Sequence, residues 1–464
     1  MIRKRYIITA LLIVFAVAVN IGIFLRQPDY SKENISVEVD MSSDRDLNAQ
    51  LFYIEDSSMI FGENQSVTAD YTAKGTADTL LFTVPSDTEW LRLDPAREQD
   101  VQISVSSIRI SYNGTVISEY MLEDLNPDCS DIELAENGDL VTESEDPYMI
   151  FAIDTASVKA AVGQHIETVQ LITNIAECAI VDLIILLLII KWEALKPVPR
   201  EIWYNRKLTL DLAKNDFKNR FSGSYLGTVW AFVQPIVTIL LFWFVFEKGL
   251  HAGPQGLRDG IPVPFVLWLT SGLVPWFFFQ DALISGTNTL YEYAFLVKKV
   301  VFNIGILPAV KVISNLFVHI AFVAFMFIIF TLMGLYPSVY SVQVIYYSVA
   351  MICFVTGLVY LTSAFCVFFK DLSQIISILM QVFMWSTPIM WNINAIGLKG
   401  PLLFLFKLNP MYYIVQGYRD SMIDNVWFFE KSDLTIYFWA VTVLLFVFGS
   451  TMFRKLKVYF ADVL

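Results

Sequence analysis

Residues 169–192 read VQLITNIAECAIVDLIILLLIIKW. Folded as a helix, a run of this length crosses the roughly 30 Å hydrocarbon layer of a bilayer. Its centre, Ile180–Ile190, contains a single acid, Asp182, and Glu177 lies earlier in the span. A carboxylate facing lipid is costly, so both acids are expected near the edge or against protein. Beyond the run comes a basic stretch: Lys191, Lys196, Arg200, Arg206, Lys207, Lys214, Lys218 and Arg220, with a linker at Pro197 and Pro199. Residues 166–192 are therefore read as a transmembrane helix, and the chain differs chemically on its two sides.

On the N-terminal side, residues 26–165 hold 28 acids and 8 bases, a balance of −20, while the rest of the chain carries 17 acids and 24 bases. So acidic a segment argues against a nucleic-acid partner. Its pattern is that of strands. Ile35–Val39 alternates, Leu80–Val84 is an apolar run closed by Pro85, and Val101–Ile110 alternates with a slip after Val105. Tyr112-Asn-Gly-Thr115 is a hairpin signal. Short strands with frequent turns predict one β-sandwich over 26–165. Before it, Tyr6–Leu25 is a 20-residue apolar run behind Arg3, Lys4 and Arg5. A signal peptide is the competing reading, but no small-x-small site follows, so residues 1–25 are read as an uncleaved anchor.

On the C-terminal side, residues 200–221 are predicted to form an amphipathic interfacial helix. Leu210, Ala213, Phe217 and Phe221 make its apolar face, and Lys207, Asp211, Lys214 and Lys218 its polar one. Six further spans are expected within 222–464, at about 225–247, 262–283, 305–334, 343–369, 372–391 and 434–453. If the acidic segment is outside, the 191–220 stretch, Lys298, Lys299, Lys370, Arg454, Lys455 and Lys457 all fall inside. The fold class is thus a polytopic α-helical membrane protein of about eight spans, with both termini cytoplasmic and residues 26–165 forming an extracytoplasmic all-β sandwich.

The four cysteines have no CxxC spacing, and the three histidines are far apart, so a metal or triad centre is not expected. Neither GxxxxGK[ST] nor HExxH nor GxSxG occurs. The chain carries no recognisable nucleotide site and no cofactor of its own. The expected spans hold few acids for ion coupling, Asp281 lying near an end. Energy from an external ATPase is favoured.

Residues 220–235, RFSGSYLGTVWAFVQP, resemble the start of the type-2 ABC exporter permeases. The pattern is Ser224, Leu226, Gly227, Trp230 and Pro235. The similarity is greatest to the polysaccharide-export branch, which handles O-antigen and teichoic acid. Lys370-Asp371 with Ser386-Thr-Pro388-Ile389 resembles a second family segment, and Asn409-Pro410 with Arg419-Asp420 a third. The resemblance covers roughly 203–464. One departure is Asn303 after Phe302, where the family often has proline after an aromatic. The family implies a transport subunit rather than an enzyme. It implies a homodimer with separate ABC ATPase subunits that hold ATP and Mg²⁺, and a lipid-linked glycan as cargo in a bacterial plasma membrane. Its short cytoplasmic helices dock into the ATPase, which assigns that role to Tyr291, Tyr293, Phe295, Lys298 and Lys299, with a simple loop helix at the headgroups as the alternative.

The physical reading of the same residues stands beside this. Gly227 is expected to let a neighbouring helix approach closely and Pro235 to kink its span, with direct substrate contact as the alternative. Asn409-Pro410 is expected to stop a helix, and Arg419 to form an interfacial pair with Asp420, with a binding site as the alternative. Trp230, Trp243, Phe244, Trp276, Phe277 and Trp385 are candidates for a path on which sugar rings slide, with an aromatic membrane belt as the alternative. Trp90, Arg92 and Asp94 form either a buried corner of the sandwich or a glycan contact. Asn64-Gln-Ser66 and Asn113-Gly-Thr115 match the glycosylation sequon by chance. Two other functions compete: export of small hydrophobic molecules, and a glycan-binding membrane protein that transports nothing.

Overall fold

The computed structural model describes residues 2–26, 33–55, 60–73, 78–121, 128–134, 139–144, 146–220, 223, 225–258, 260–299, 303–393 and 400–464. The chain divides into two units, one of Phe24–Ala176 and one of Met1–Ile23 with Glu177–Leu464.

The first unit is built on two antiparallel sheets. One has the order β4-β1-β6-β10-β9, with β7 also on β6; the other has the order β3-β2-β5-β11-β8. The strands are β1 (Asn34–Ser43), β2 (Leu47–Ile54), β3 (Ser66–Tyr71), β4 (Asp78–Pro85), β5 (Trp90–Asp94), β6 (Gln102–Tyr112), β7 (Thr115–Tyr120), β8 (Asp128–Ser130), β9 (Ile132–Leu134), β10 (Leu140–Thr142) and β11 (Tyr148–Ala152). Ile35, Val37, Val39 and Met41 alternate inward and share one apolar core with Leu91, Leu93, Ile108 and Ile110. On the other face of β1, Glu38 and Asp40 pair with Arg109. The slip read after Val105 is a bulge: Asp40 pairs with Ser107 and Met41 with Val105, leaving Ser106 between them. Asn113 and Gly114, at φ +50° and +78°, make the two-residue hairpin from β6 to β7.

The helix expected from residue 166 starts earlier. It runs Thr155–Leu195 (α2, after α1 at Ile2–Phe24). Val158, Val162 and Ile166, four residues apart, are buried in the sandwich core, so these first turns belong to the β unit. Asp154 starts the helix by accepting hydrogen bonds from the Ala156 and Ser157 N–H groups at 3.1 and 3.2 Å. Ser157 holds the Asp154 carboxyl below the usual carboxylate range.

The second unit is helical. Across the described residues, 7 helices are long and apolar enough to cross a membrane. They are α1, α2 and the helical segments Gly227–Gly249, Phe265–Thr287, Ile304–Leu332, Val339–Cys366 and Ser432–Val463. The span expected at 372–391 is instead the 15-residue helix Leu372–Ser386. At 1.5 Å per residue it covers about 22 Å, short of a full crossing.

Packing shows what this short helix must do. The helices Gln343–Cys366 and Ser432–Leu456 run parallel: Tyr346 meets Trp439 near one end, and Tyr360 meets Phe453 near the other. They touch through Gly357 and Gly449, where a Cβ on Gly449 would collide with the Gly357 carbonyl. Two parallel neighbours need a return between them, and Leu372–Ser386 lies in that return. The long helices of this unit, the short Leu372–Ser386 helix and the β domain make up the expected fold class.

Acids in the apolar spans find protein partners. Asn20 donates to Asp182 at 3.1 Å, and Ser432 donates to Glu177 at 3.3 Å. α1, α2 and Ile436 pack together around Ala16, Ile23, Val181 and Ile185.

Candidate functional site

Helix numbering continues with α3 (Pro197–Tyr204), α4 (Arg206–Arg220), α5 (Trp230–Trp243), α6 (Phe265–Thr287), α7 (Thr289–Glu292), α8 (Ala294–Lys299), α9 (Leu307–Leu332), α10 (Gln343–Cys366), α11 (Leu372–Ser386), α12 (Gly400–Lys407), α13 (Pro410–Arg419) and α14 (Ser432–Leu456).

At one end of the bundle, α4 buries part of the face that its apolar residues suggested: Ala213 is enclosed and Phe217 packs on Phe317, Phe221 lies outside the described residues, and Leu210 gives way to Asp216. Thr209, Ala213 and Asp216 are its buried residues, and Leu210 is exposed. The reason is a charge on the neighbouring helix. Lys311 of α9 is buried and holds Asp216 at 2.5 Å and Glu292 of α7 at 2.5 Å. A lysine in an apolar helix requires a counter-charge, and that requirement buries Asp216 beside the apolar residues. The Tyr293 hydroxyl donates to Asp216 at 3.0 Å, and Arg220 donates to Asn315 at 2.8 Å. Burial pushes the Asp216 carboxyl up, but the hydrogen bond and charge of Lys311 outweigh it and hold the group below the usual carboxylate range. Three elements, α4, α7 and α9, thus meet at one ammonium.

The residues assigned to ATPase docking divide between two faces. Tyr291 and Tyr293 point inward. The Tyr291 hydroxyl donates to the carbonyls of Cys366 and Val367 at 3.2 and 3.1 Å. Phe295 and Lys298 are exposed. Ser224 and the Lys299 side chain lie outside the described residues, as does Phe302. Asn303 accepts from the Gly305 N–H at 3.1 Å, so it caps the turn that enters α9 where proline was expected.

At the opposite end, two of the motif segments come together. After α11 the chain is non-helical through Thr387, Pro388 and Ile389. Their freed backbone groups need partners inside an apolar bundle. Arg419 donates to the carbonyls of Pro388 and Ile389 at 2.7 and 2.9 Å, and Asn409 donates to Thr387 at 2.7 Å. The Arg419 guanidinium lies over the Trp268 ring at 3.4 Å from its centroid. Arg419 therefore does not pair with Asp420 as expected; Lys431 does, at 2.7 Å to both carboxylate oxygens. Asn409-Pro410 does more than stop a helix. Asn409 accepts from the Met411 N–H at 3.0 Å and Pro410 sits in the first turn of α13, so the pair begins that helix. Asp371 stands at the start of α11, with no side-chain cap bond.

Gly227 also differs from expectation. A Cβ there would meet nothing within 4 Å, but its φ is +53°. The glycine is required by a left-handed turn before α5, not by helix contact. Pro235 lies inside α5, and the helix passes at Phe244 into a wider turn through Gly249.

The candidate path aromatics are scattered in environment. Trp230, Phe244 and Trp385 are exposed at the surface of this chain. Trp243 is half-buried beneath Lys248. Phe277 packs on Phe322, and Trp276 is fully buried, its indole N–H donating to Gln280 at 2.9 Å. Trp276 would meet a ligand only if the surrounding helices part. In the β unit, Arg92 is held by Asp94 at 2.7 Å and Asp146 at 2.8 Å, between the rings of Phe52 and Tyr148. Trp90 begins the same strand and is half-buried. Sequence reasoning passed over Lys311, Asp216 and Trp268. The signal for the first was a lysine in an otherwise apolar span; Trp268 gave none beyond its type.

With this geometry in view, the comparisons with known proteins are specific. The profile of the ABC-2 type transporter family matches residues 208–423, from within α4 to just after α13. Over these residues the chain is similar to the type-2 ABC permeases. The match leaves out the β unit and α14. The O-antigen export system permease protein RfbA of Myxococcus xanthus is 25% identical over 264 residues, which is 57% of this chain and 97% of that protein. Its namesake from Klebsiella pneumoniae is 24% identical over 264 residues, 55% of this chain and 95% of that protein. The chain is thus a multi-pass membrane transport subunit whose additional length includes an N-terminal β domain.

Proposed function

We propose that this chain is the transmembrane subunit of an ATP-driven exporter of a lipid-linked cell-surface polysaccharide. The observation that carries the reading is the alignment over nearly the whole length of permeases named for O-antigen export. In this reading the chain works as a homodimer with separate ABC ATPase subunits, which hold ATP and Mg²⁺. It sits in a bacterial plasma membrane with both termini in the cytoplasm and residues 26–165 outside, as the basic segments favour. The exposed Phe295 and Lys298 then face the ATPase. Tyr293 and Tyr291 tie that contact to α4 and to the end of α10.

Deletion of this chain in its host tests the reading. Surface polysaccharide should disappear, lipid-linked precursor should accumulate inside, and the tagged chain should co-purify with an ATPase. Normal surface polymer with altered drug sensitivity would assign the chain to small hydrophobic molecules instead.

A further inference from the structure

Arg419, the non-helical segment at 387–393 and the start of α14 surround a cavity of about 380 Å³. Small-ligand sites usually occupy roughly 300–1,000 Å³. Its charges are mixed. Lys407, Arg419 and Lys431 line it together with Asp424 and Asp433, and Lys431 is already neutralised by Asp420. A phosphate would meet carboxylates as well as cations, so the lining does not select an anion. The neutral amides of Gln255 and Asn392 add donors and acceptors to the wall, joined to each other at 3.1 Å. Pro388, Tyr412 and Leu434 supply apolar surface.

One group in this wall is unsatisfied. Arg419 is 2% exposed, and its two terminal nitrogens serve the carbonyls of Pro388 and Ile389. Its Nε has no hydrogen-bond partner. That nitrogen has no accessible surface, so its donor is enclosed by the protein rather than offered to a ligand. Balanced charge, paired amides and an apolar wall together match an uncharged ring carrying several hydroxyls.

We propose that this cavity binds neutral sugar units of the exported polymer. The inference rests on the polysaccharide-export reading, under which this end of the bundle faces away from the cytoplasm. The amides orient the hydroxyls, and Arg419 forms part of the wall. Because Arg419 also holds the 387–389 segment, sugar occupancy and the position of that segment are linked.

The test uses the full chain with its ATPase partner in lipid nanodiscs. The probe is a set of short oligosaccharides cut from the host's own surface polymer and freed of lipid and phosphate, with binding read by saturation-transfer NMR. Asn392→Ala and Gln255→Ala should each bind about fivefold more weakly, the loss expected for one hydrogen bond. Complex yield and the size-exclusion profile, measured on the same samples, confirm that the variants fold. Inorganic phosphate should not displace the probe. Unchanged affinity in both variants, or no binding to the unaltered complex, overturns the cavity assignment, while loss of surface polymer in the deletion strain keeps the export reading. Displacement by phosphate overturns it in favour of an anion site. Normal surface polymer in the deletion strain removes the export reading itself.

Discussion

Replacing Lys311 by Met tests whether one buried ammonium ties α4, α7 and α9 together. The side chains of Lys311 and Asp216 are only 5% and 7% exposed, so their pairing is screened little by water. Breaking a buried pair by removing one partner costs about 3–5 kcal/mol, because the other charge stays buried. Tyr293 still donates to Asp216, and Arg220 lies 3.9 Å away, which places the loss at the lower end. Glu292 is 49% exposed, and its contact adds only about 0–1 kcal/mol. The single variant should therefore lose about 3 kcal/mol. The double variant Asp216→Asn, Lys311→Met removes both charges and should lose about 2 kcal/mol less than the sum of the singles. Denaturant unfolding of the full chain in detergent micelles, followed by tryptophan fluorescence, measures all three. The native Asp216 pKa is depressed, so the stability it contributes is complete above the ordinary carboxylate value of about 3.9. It is lost only as pH falls through the lower native value. Single losses that add to within about 0.5 kcal/mol would refute the coupling.

Other expectations follow from the same packing. Gly449→Leu forces a side chain into the Gly357 backbone and should block the α10–α14 contact, seen as loss of folded chain on detergent size-exclusion chromatography. Arg92→Ala strands Asp94 inside the sandwich and should cost about 2 kcal/mol in the unfolding of the β unit. Unchanged stability with lowered export would instead make Arg92 a glycan contact. Cys129 is exposed, so a membrane-impermeant maleimide should label intact cells through it, and Cys129→Ser should abolish that signal. Labelling only after permeabilisation would reverse the proposed orientation. Phe244→Leu with Trp385→Leu removes two exposed ring faces at roughly 1–3 kcal/mol each by analogy with base stacking. It should stop surface polymer while either single change only slows it, and normal polymer in the pair would return both rings to lipid contact.

The features that sequence alone determined are those carried by local period and local charge. The apolar runs, the β alternation with its slip at Ser106, the Asn113-Gly114 hairpin and the basic segments are all properties of neighbouring residues. The motif residues Pro388, Asn409, Pro410 and Arg419 were also visible, but only as separate segments. Tertiary structure decided what depends on partners distant in the chain. The apolar stripe of α4 placed Ala213 and Phe217 correctly, yet Lys311, 95 residues from Asp216, added an acid to the buried side while Leu210 stayed exposed. Arg419 was expected to pair with its neighbour Asp420, yet Pro388 and Ile389 carbonyls some 30 residues away claimed it, because non-helical backbone in an apolar bundle cannot stay unbonded. A charge or an unmet carbonyl selects its partner by proximity in space, and that proximity is not written in the period of either segment.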